Sequence, residues 1–221
     1  MVGGLKYLWQ RKSEYSIHSP FVYDFMKKVL NDRGSNRDYD LMLRISRLLD
    51  GKQYPNRRRR KQARLLYRLV RYLEPETVLT FGCLSALDTS ALALGNLQTK
   101  VYLEQSSDFL ETLNAMGVVN VNLIRHDGDE EEQFEQLNTG FVFYGLDDFG
   151  EDTWNNLEDG FGEVDEGTVL VFEGIHHSRH TEAAWEAIKA SEDVTVTMDL
   201  FSIGLVFFRE GIEKQDFVLK Y

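Results

Sequence analysis

A short polar turn between an apolar run and a helical run is the first place in the sequence where chemistry could occur. Residues 78–81 are apolar and predict a strand, and Gly82 opens the turn that follows. Small and polar residues lead from there into a helical run at 91–94. The N-terminus of a helix offers unpaired N–H groups and the positive end of its dipole. In α/β proteins such a joint binds a nucleotide-like cofactor, and we expect one here.

A second candidate is an acidic residue that directly follows another predicted strand. Residues 100–103 form this strand, and Glu104 comes next. An ionised carboxylate has two free oxygens, so it can accept hydrogen bonds from both hydroxyls of a ribose. Glu104 suits that role, and a surface carboxylate without a ligand is the alternative.

Three histidines lie close together in the sequence: His176, His177 and His180. This spacing could bind a transition metal, with Glu173 as a further ligand. His176 alone could act as a general base, because an imidazole titrates near neutral pH. Plain loop or helix-capping roles are the third interpretation, and the sequence leaves all three open.

The elements that must position these residues alternate regularly from residue 77 onward. Strands are predicted at 77–81, 100–103, 121–124, 141–144 and 168–172, and helices at about 87–95, 107–115, 129–137, around Trp154 and at 179–190 with Ser178 as the cap. This alternation predicts a parallel sheet with helices on both faces. The next two strands, 194–201 and 203–209, are joined by almost nothing and must pair antiparallel. Residues 217–221 form a candidate edge strand.

Amphipathic helices precede the predicted sheet. Ser19 before Pro20 predicts a helix start, because serine caps helices and proline suits their first position. A second helix covers 41–49 and ends at Gly51, and its predicted inward face is Leu41, Ile45, Leu48 and Leu49. A third follows at 57–73, with leucines on one side and basic residues on the other, including Arg57, Arg64, Arg68 and Arg71. We expect a helical extension over residues 1–73 and an α/β domain over 74–221.

Charge is distributed unevenly along the chain, whose net charge is −11. Residues 1–72 carry 18 Lys and Arg against 6 Asp and Glu, whereas residues 73–221 carry 7 against 30. The acidic part repels nucleic acid and anionic membranes. The basic part could bind such a polyanion, dock on the acidic part of its own or a second copy, or remain solvated. No glycine or aromatic pattern of a nucleic-acid module accompanies it, so we do not expect a nucleic-acid partner.

Composition limits the classes of protein to which the chain could belong. The 221 residues contain no apolar run of about 18 residues, and the first ten lack the pattern of a signal peptide. The single cysteine, Cys83, excludes an internal disulfide and a cysteine-rich metal site. Cys83 as a nucleophile would need a base that the sequence does not place. A cytoplasmic protein is the simplest expectation.

The parallel unit that ends in an antiparallel hairpin, together with the local sequences, resembles the class I S-adenosylmethionine (SAM)-dependent methyltransferases. More narrowly, the chain resembles a bacterial methyltransferase-like family whose N-terminal extension carries the motif Tyr-x-x-His-Ser-Pro-Phe-Val-Tyr-Asp-Phe, here residues 15–25. Residues 182–189, 194–201 and 204–209 also match the family in character. The resemblance covers nearly the whole chain. It implies a Rossmann-like class I methyltransferase sheet, mostly parallel with a C-terminal antiparallel hairpin, plus N-terminal helices.

The resemblance also implies a set of SAM-binding residues at the carboxyl ends of the first strands: Gly82, Ser85, Ala86, Glu104 and Asp127. Glu104 would bind the ribose, and Asp127 would lie beside the adenine amino group. Two positions depart from the family pattern. Thr80 replaces an acidic residue that organises the turn, and the nearest carboxylate along the turn is Asp88. Ala86 replaces a second glycine, which adds a methyl group where the cofactor approaches.

The metal-dependent relatives have acidic residues after the fourth and fifth strands. Gly145 and Gly174 occupy those positions here, and Asp147 could substitute only from two residues on. The expectation is therefore a cofactor site for SAM without a metal.

The activity that the resemblance implies is methyl transfer from SAM to an oxygen or nitrogen of a small acceptor, with His176 facing the acceptor. The alternative is a catalytically decayed methyltransferase-like protein that serves as a binding or scaffold protein. A nucleic-acid-modifying protein that uses the basic helix is a minor third interpretation. A homodimer through the N-terminal helices is the expected assembly.

Overall fold

The computed structural model of the chain describes residues 19–32, 37–51, 54–82, 84–103, 105–124, 139–145 and 164–221. They form two compact units. The central unit is Phe25–Thr139, and the terminal unit joins the described residues up to Asp24 with Gly140–Tyr221. Among the described residues, no helix is long and apolar enough to cross a membrane. The helices predicted at 129–137 and around Trp154 lie outside the described ranges, as do residues 15–18 of the motif. The predicted domain boundary at residue 73 stays a prediction.

Helix α1, Pro20–Phe25, begins where the sequence predicts. The Ser19 carbonyl accepts the Tyr23 N–H at 3.0 Å, and the Ser19 hydroxyl accepts the Val22 N–H at 3.5 Å. The helix continues as a π-helical segment, Met26–Leu30. In the terminal unit, the Phe21 ring meets Phe207 edge to face, with ring centroids 5.1 Å apart.

Helix α2, Arg37–Leu49, begins four residues earlier than predicted, because Asp38 and Asp40 favour a helix first turn. The face of α2 that points into the core also differs from the predicted one. The buried residues are Tyr39, Met42, Ile45 and Ser46. The prediction that Leu48 faces inward is wrong, since Leu48 is 62% exposed. The period set by Tyr39 and Met42 carries position 48 to the solvent side.

Helix α3, Arg57–Leu73, has the predicted bounds, and the Asn56 side chain caps it by accepting the Arg59 N–H at 3.0 Å. Leu65, Leu66 and Leu69 are fully buried, as expected. Arg68 does not lie on the solvated basic side. Its side chain is buried because the guanidinium donates to the backbone carbonyls of Arg64 and Asp32.

Two arginines of α3 and one of α2 pack on tyrosine rings. The guanidinium carbons of Arg47 and Arg60 lie 4.9 and 4.8 Å from the Tyr54 ring centroid, and that of Arg64 lies 4.9 Å from Tyr39. Cation–π contacts of this kind hold long side chains in fixed positions. The rings therefore serve to position arginines.

The sheet of the central unit is parallel, with the strand order β3-β2-β1. Its strands are β1 (Thr77–Phe81), β2 (Lys100–Leu103) and β3 (Val121–Leu123), and its helices are α4 (Ala86–Gly95) and α5 (Ser107–Ala115). Helices α2 and α3 pack against α4. A Cβ atom at Gly95 would lie 2.7 Å from the Tyr67 carbonyl oxygen, so only glycine permits this close approach of α3 and α4.

The sheet of the terminal unit is mixed, with the strand order β4-β5-β7-β6-β8. Its strands are β4 (Thr139–Tyr144), β5 (Val169–Glu173), β6 (Val196–Asp199), β7 (Ile203–Phe207) and β8 (Gln215–Val218). β7 runs antiparallel to both β5 and β6, which confirms the predicted hairpin. The final strand begins two residues earlier than predicted and pairs parallel with β6.

Helix α6, Arg179–Ala190, belongs to this unit, and Ser178 caps it as predicted. Its Trp185 side chain is fully buried. A Cβ atom at Gly204 would lie 2.6 Å from the Trp185 ring, so β7 needs glycine at this position. The predicted fold class is confirmed: an α/β protein of the Rossmann-like methyltransferase type, with antiparallel C-terminal strands and N-terminal helices.

Candidate functional site

The turn between β1 and α4, residues 82–86, is the predicted cofactor turn. Gly82 has a φ of +85°, a left-handed conformation that side chains disfavour. Ser85 is the N-cap of α4, and its hydroxyl accepts the Asp88 N–H at 3.2 Å. The same hydroxyl lies 2.7 Å from the Asp88 carboxylate, to which it donates. Sequence reasoning therefore places the turn correctly. Cys83 lies outside the described residues.

An unforeseen carboxylate reaches this turn from the N-terminal helices. The Ala86 N–H, the first of α4, donates to Asp50 Oδ1 at 2.8 Å. Asp50 Oδ2 accepts the Ser46 hydroxyl at 3.0 Å, which fixes the orientation of the carboxylate. The sequence carries one signal of this contact. Asp50 follows the last turn of α2, where a negative charge is unfavourable to its own helix.

Thr80 is the position at which the resemblance implies an acidic residue. Its side chain is fully buried, and its hydroxyl donates to the Tyr102 carbonyl oxygen at 3.1 Å. Thr80 therefore links β1 to β2. Among the described residues, the carboxylates of Asp50 and Asp88 bond to the turn, and sequence reasoning had identified only the second.

The end of β2 also contacts the cofactor turn. Gln105 Nε2 donates to the Leu84 carbonyl oxygen at 3.2 Å. Glu104 and Asp127, the predicted ribose and adenine contacts, lie outside the described residues. Their roles stay predictions.

The chemistry of the turn selects among nucleotide-like cofactors. Two carboxylates, Asp50 and Asp88, already lie at the N-terminus of α4, where a phosphate would otherwise bind. A phosphate-bearing cofactor would meet like charges there. SAM lacks phosphates and carries an ammonium and a sulfonium group against one carboxylate, so its charge fits this turn.

In the terminal unit, His176 is held between two carboxylates. Its Nε2 lies 2.7 Å from Asp199 Oδ2, and its Nδ1 lies 3.6 Å from Glu182 Oε1. Asp199 Oδ1 accepts the Phe201 N–H at 2.8 Å. Phe201 has a φ of +71°, and its ring lies against the imidazole with centroids 5.5 Å apart. The geometry thus fixes the orientation of the imidazole from two sides.

The electrostatics of His176 follow from these neighbours. Burial lowers the pKa of His176, but the hydrogen bond and negative charge of Asp199, with the charge of Glu182, outweigh burial and raise the pKa above its ordinary value. An imidazole oriented by a carboxylate at one nitrogen can exchange a proton at the other. Here Nε2 is bonded to Asp199, whereas Nδ1 is buried and faces Glu182.

The other two histidines of the cluster do not join His176. His177 and His180 are exposed, and His180 lies in the first turn of α6. Among the described residues, no group of three histidine, cysteine, aspartate or glutamate side chains is placed to hold a metal ion. Gly174 forms a left-handed turn with a φ of +75°.

Comparison with known proteins shows that the fold of this chain is similar to those of several solved structures. No protein-family model and no characterised protein matches the sequence. A solved methyltransferase from Geobacter sulfurreducens is similar, with a TM-score of 0.57 and 17% identity, over 88% of this chain and 98% of that one. A methyltransferase from Podospora anserina with bound S-adenosylhomocysteine (SAH) has a TM-score of 0.56 and 14% identity, over 88% and 98%.

A third solved structure is the O-methyltransferase TomG from Streptomyces achromogenes, in complex with SAM. Its TM-score is 0.55 and its identity 16%, over 85% of this chain and 95% of that one. The likeness spans almost the full length of each of these proteins. This chain therefore has the fold of a class I SAM-dependent methyltransferase.

Proposed function

We propose that the protein is a SAM-dependent methyltransferase that acts on an oxygen or nitrogen of a small acceptor. The observation that carries the proposal is the likeness to methyltransferases, two of them solved with SAM or SAH, over 85–88% of the chain. The charge of the cofactor turn supports the same cofactor.

Methyl transfer is an in-line displacement at the sulfonium methyl group, which SAM supplies. The protein must position the acceptor, exclude water and remove a proton from the acceptor. We assign this proton to the imidazole of His176. Asp199 is a positioning residue, since it holds Nε2 at 2.7 Å and fixes the plane of the ring. The two flanking carboxylates stabilise the imidazolium that forms.

The cofactor contacts follow the fold. Gly82, Ser85 and Ala86 form the turn that receives the methionyl end of SAM. Glu104 binds the ribose hydroxyls, and Asp127 lies at the adenine edge. The proposal includes no metal.

Calorimetric titration with SAM and SAH tests the cofactor assignment. We expect binding of both, and no binding of ATP or NAD, whose phosphates the carboxylates of the turn repel. Glu104→Ala should lower the affinity for SAM by removing the ribose contact. No heat at millimolar SAM and SAH would refute the methyltransferase proposal, and tight ATP binding would refute the charge argument.

A pH profile tests the role of His176 once an acceptor is found. A base must lose its proton before it can act, and the pKa of His176 is raised. The rate should therefore increase with pH up to that raised value and then level off. His176→Gln should remove this increase of the rate with pH, whereas His177→Gln, at an exposed neighbouring position, should keep it. A profile that His176→Gln leaves unchanged excludes His176 as the base.

A further inference from the structure

We infer that Asp50 supplies to the cofactor turn the carboxylate that Thr80 lacks, and that Asp50 binds the ammonium group of SAM. The inference rests on the proposed function and adds a ligand contact that comes from the N-terminal helices. Asp50 lies 36 positions before its partner Ala86 in the sequence.

The position of the carboxylate is defined by two donors. Ala86 N–H binds Oδ1 at 2.8 Å, and the hydroxyl of Ser46, itself buried, binds Oδ2 at 3.0 Å. Both donors are uncharged, so neither neutralises the carboxylate. Asp50 is nevertheless exposed, which leaves part of the carboxylate open to a ligand.

The end of α2 is built to present this residue. The Asp50 N–H donates to the Ser46 carbonyl oxygen at 2.8 Å, and Gly51 then turns the chain with a φ of +96°. A carboxylate at the C-terminus of α2 opposes the dipole of α2 and is favourable only toward the N-terminus of α4. Within α2 the aspartate is bonded to the Ser46 hydroxyl, and the contact with the cofactor turn gives its charge a favourable helix dipole.

The proposed function places the methionyl end of SAM at the cofactor turn, beside Asp50. In open α/β sheets the ligand lies outside the carboxyl ends of the strands, beside the first βα turn. Asp50 is bonded to that turn at Ala86. A carboxylate at this place repels the carboxylate of SAM and forms a charge-assisted hydrogen bond with its ammonium group.

Two ligands separate this contact from general effects. SAH keeps the ammonium group but lacks the sulfonium charge, and 5′-methylthioadenosine lacks the whole amino-acid part. Calorimetry with both, on the wild type and Asp50→Asn, isolates the contact between Asp50 and the ammonium. Asparagine retains an oxygen for the Ala86 N–H, so the turn itself should persist. Asp40→Asn, an exposed change on the same helix, is the matched control.

We expect Asp50→Asn to weaken SAH about tenfold or more, the effect of losing a hydrogen bond to a charged group, and to leave methylthioadenosine unchanged. Asp40→Asn should change neither affinity. Equal weakening of both ligands would show a structural role for Asp50, and unchanged SAH affinity would exclude the contact. Either result overturns the inference while wild-type binding of SAH upholds the proposed function. A wild type that binds neither SAM nor SAH overturns both.

Discussion

Asp50 in the central unit and Asp199 in the terminal unit are bonded in the same pattern. Each accepts a backbone N–H on one carboxylate oxygen and a side-chain donor on the other. They differ in the second donor, which is a serine hydroxyl at Asp50 and the imidazole of His176 at Asp199. They also differ in burial, since Asp199 is 6% exposed and Asp50 is exposed.

The difference shows how the surroundings of a carboxylate determine its use. Asp199 is paired with a group that can become positive, so its charge is neutralised within the protein and serves to orient His176. Within the described part of the chain the partners of Asp50 are neutral, and the residue is exposed, so its charge remains available to a cationic ligand. The following changes should separate the two aspartates.

The largest effect is expected from Asp199→Ala. The change leaves the Phe201 N–H and His176 without their partner in a buried place, and we expect a loss of about 3 kcal/mol in the free energy of unfolding. Urea denaturation at neutral pH measures it. Asp193→Ala, at an exposed position in the preceding loop, should cost little. Similar losses in both variants would contradict the assignment of Asp199.

The pH dependence of stability is the next effect. Because the folded pKa of His176 is raised, its contribution is fully present below the unfolded pKa of about 6.5. The contribution is lost as the pH increases through the folded value. His176→Gln should remove that part of the slope in urea titrations from below pH 6 to above pH 8, whereas Asp50→Asn should keep it. An identical slope in His176→Gln and the wild type would contradict the pairing.

A smaller loss is expected at the other aspartate. Asp50→Ala removes the acceptor of the first N–H of α4, and loss of such a helix-terminal acceptor costs about 1 kcal/mol. Thermal or urea unfolding would detect this loss. A cost comparable to that of Asp199→Ala would mean that Asp50 is chiefly structural.

The smallest change in stability is expected for Asp50→Asn, because asparagine can still accept from Ala86. We expect a shift within about 0.5 kcal/mol in urea denaturation without ligand. Addition of SAH should stabilise the wild type more than this variant, since bound ligand adds stability according to its affinity. Equal stabilisation of the two proteins would contradict the contact.

Most of the fold could be predicted from periodicity. The parallel strands and α3 have bounds close to those expected, because apolar runs and helix caps are local signals in the sequence. The errors arose where tertiary contacts decide burial. Leu48 fits an apolar stripe, yet it is exposed, and Arg68 is buried because two backbone carbonyls accept its guanidinium.

The candidate site was less predictable than the fold. Ser85 and Ala86 could be placed because a strand, a turn and a helix follow one another in the sequence. Asp50 and Asp199 could not, since their partners are 36 and 23 positions away along the chain. A hydrogen bond between such distant residues leaves almost no local pattern, and only the unusual aspartate at the end of α2 indicated one.

The contact between Gly204 and Trp185 has a consequence for sequence variation. The Trp185 ring occupies the volume of any side chain at position 204, and Ile175 Cγ2 lies 3.0 Å from the same point. Volume can therefore be exchanged between the two positions but not added at one of them alone. In relatives with a smaller residue at the position of Trp185, alanine or serine should become admissible at the position of Gly204. Side-chain size at the two positions should covary inversely, and an alignment of such relatives would reveal it.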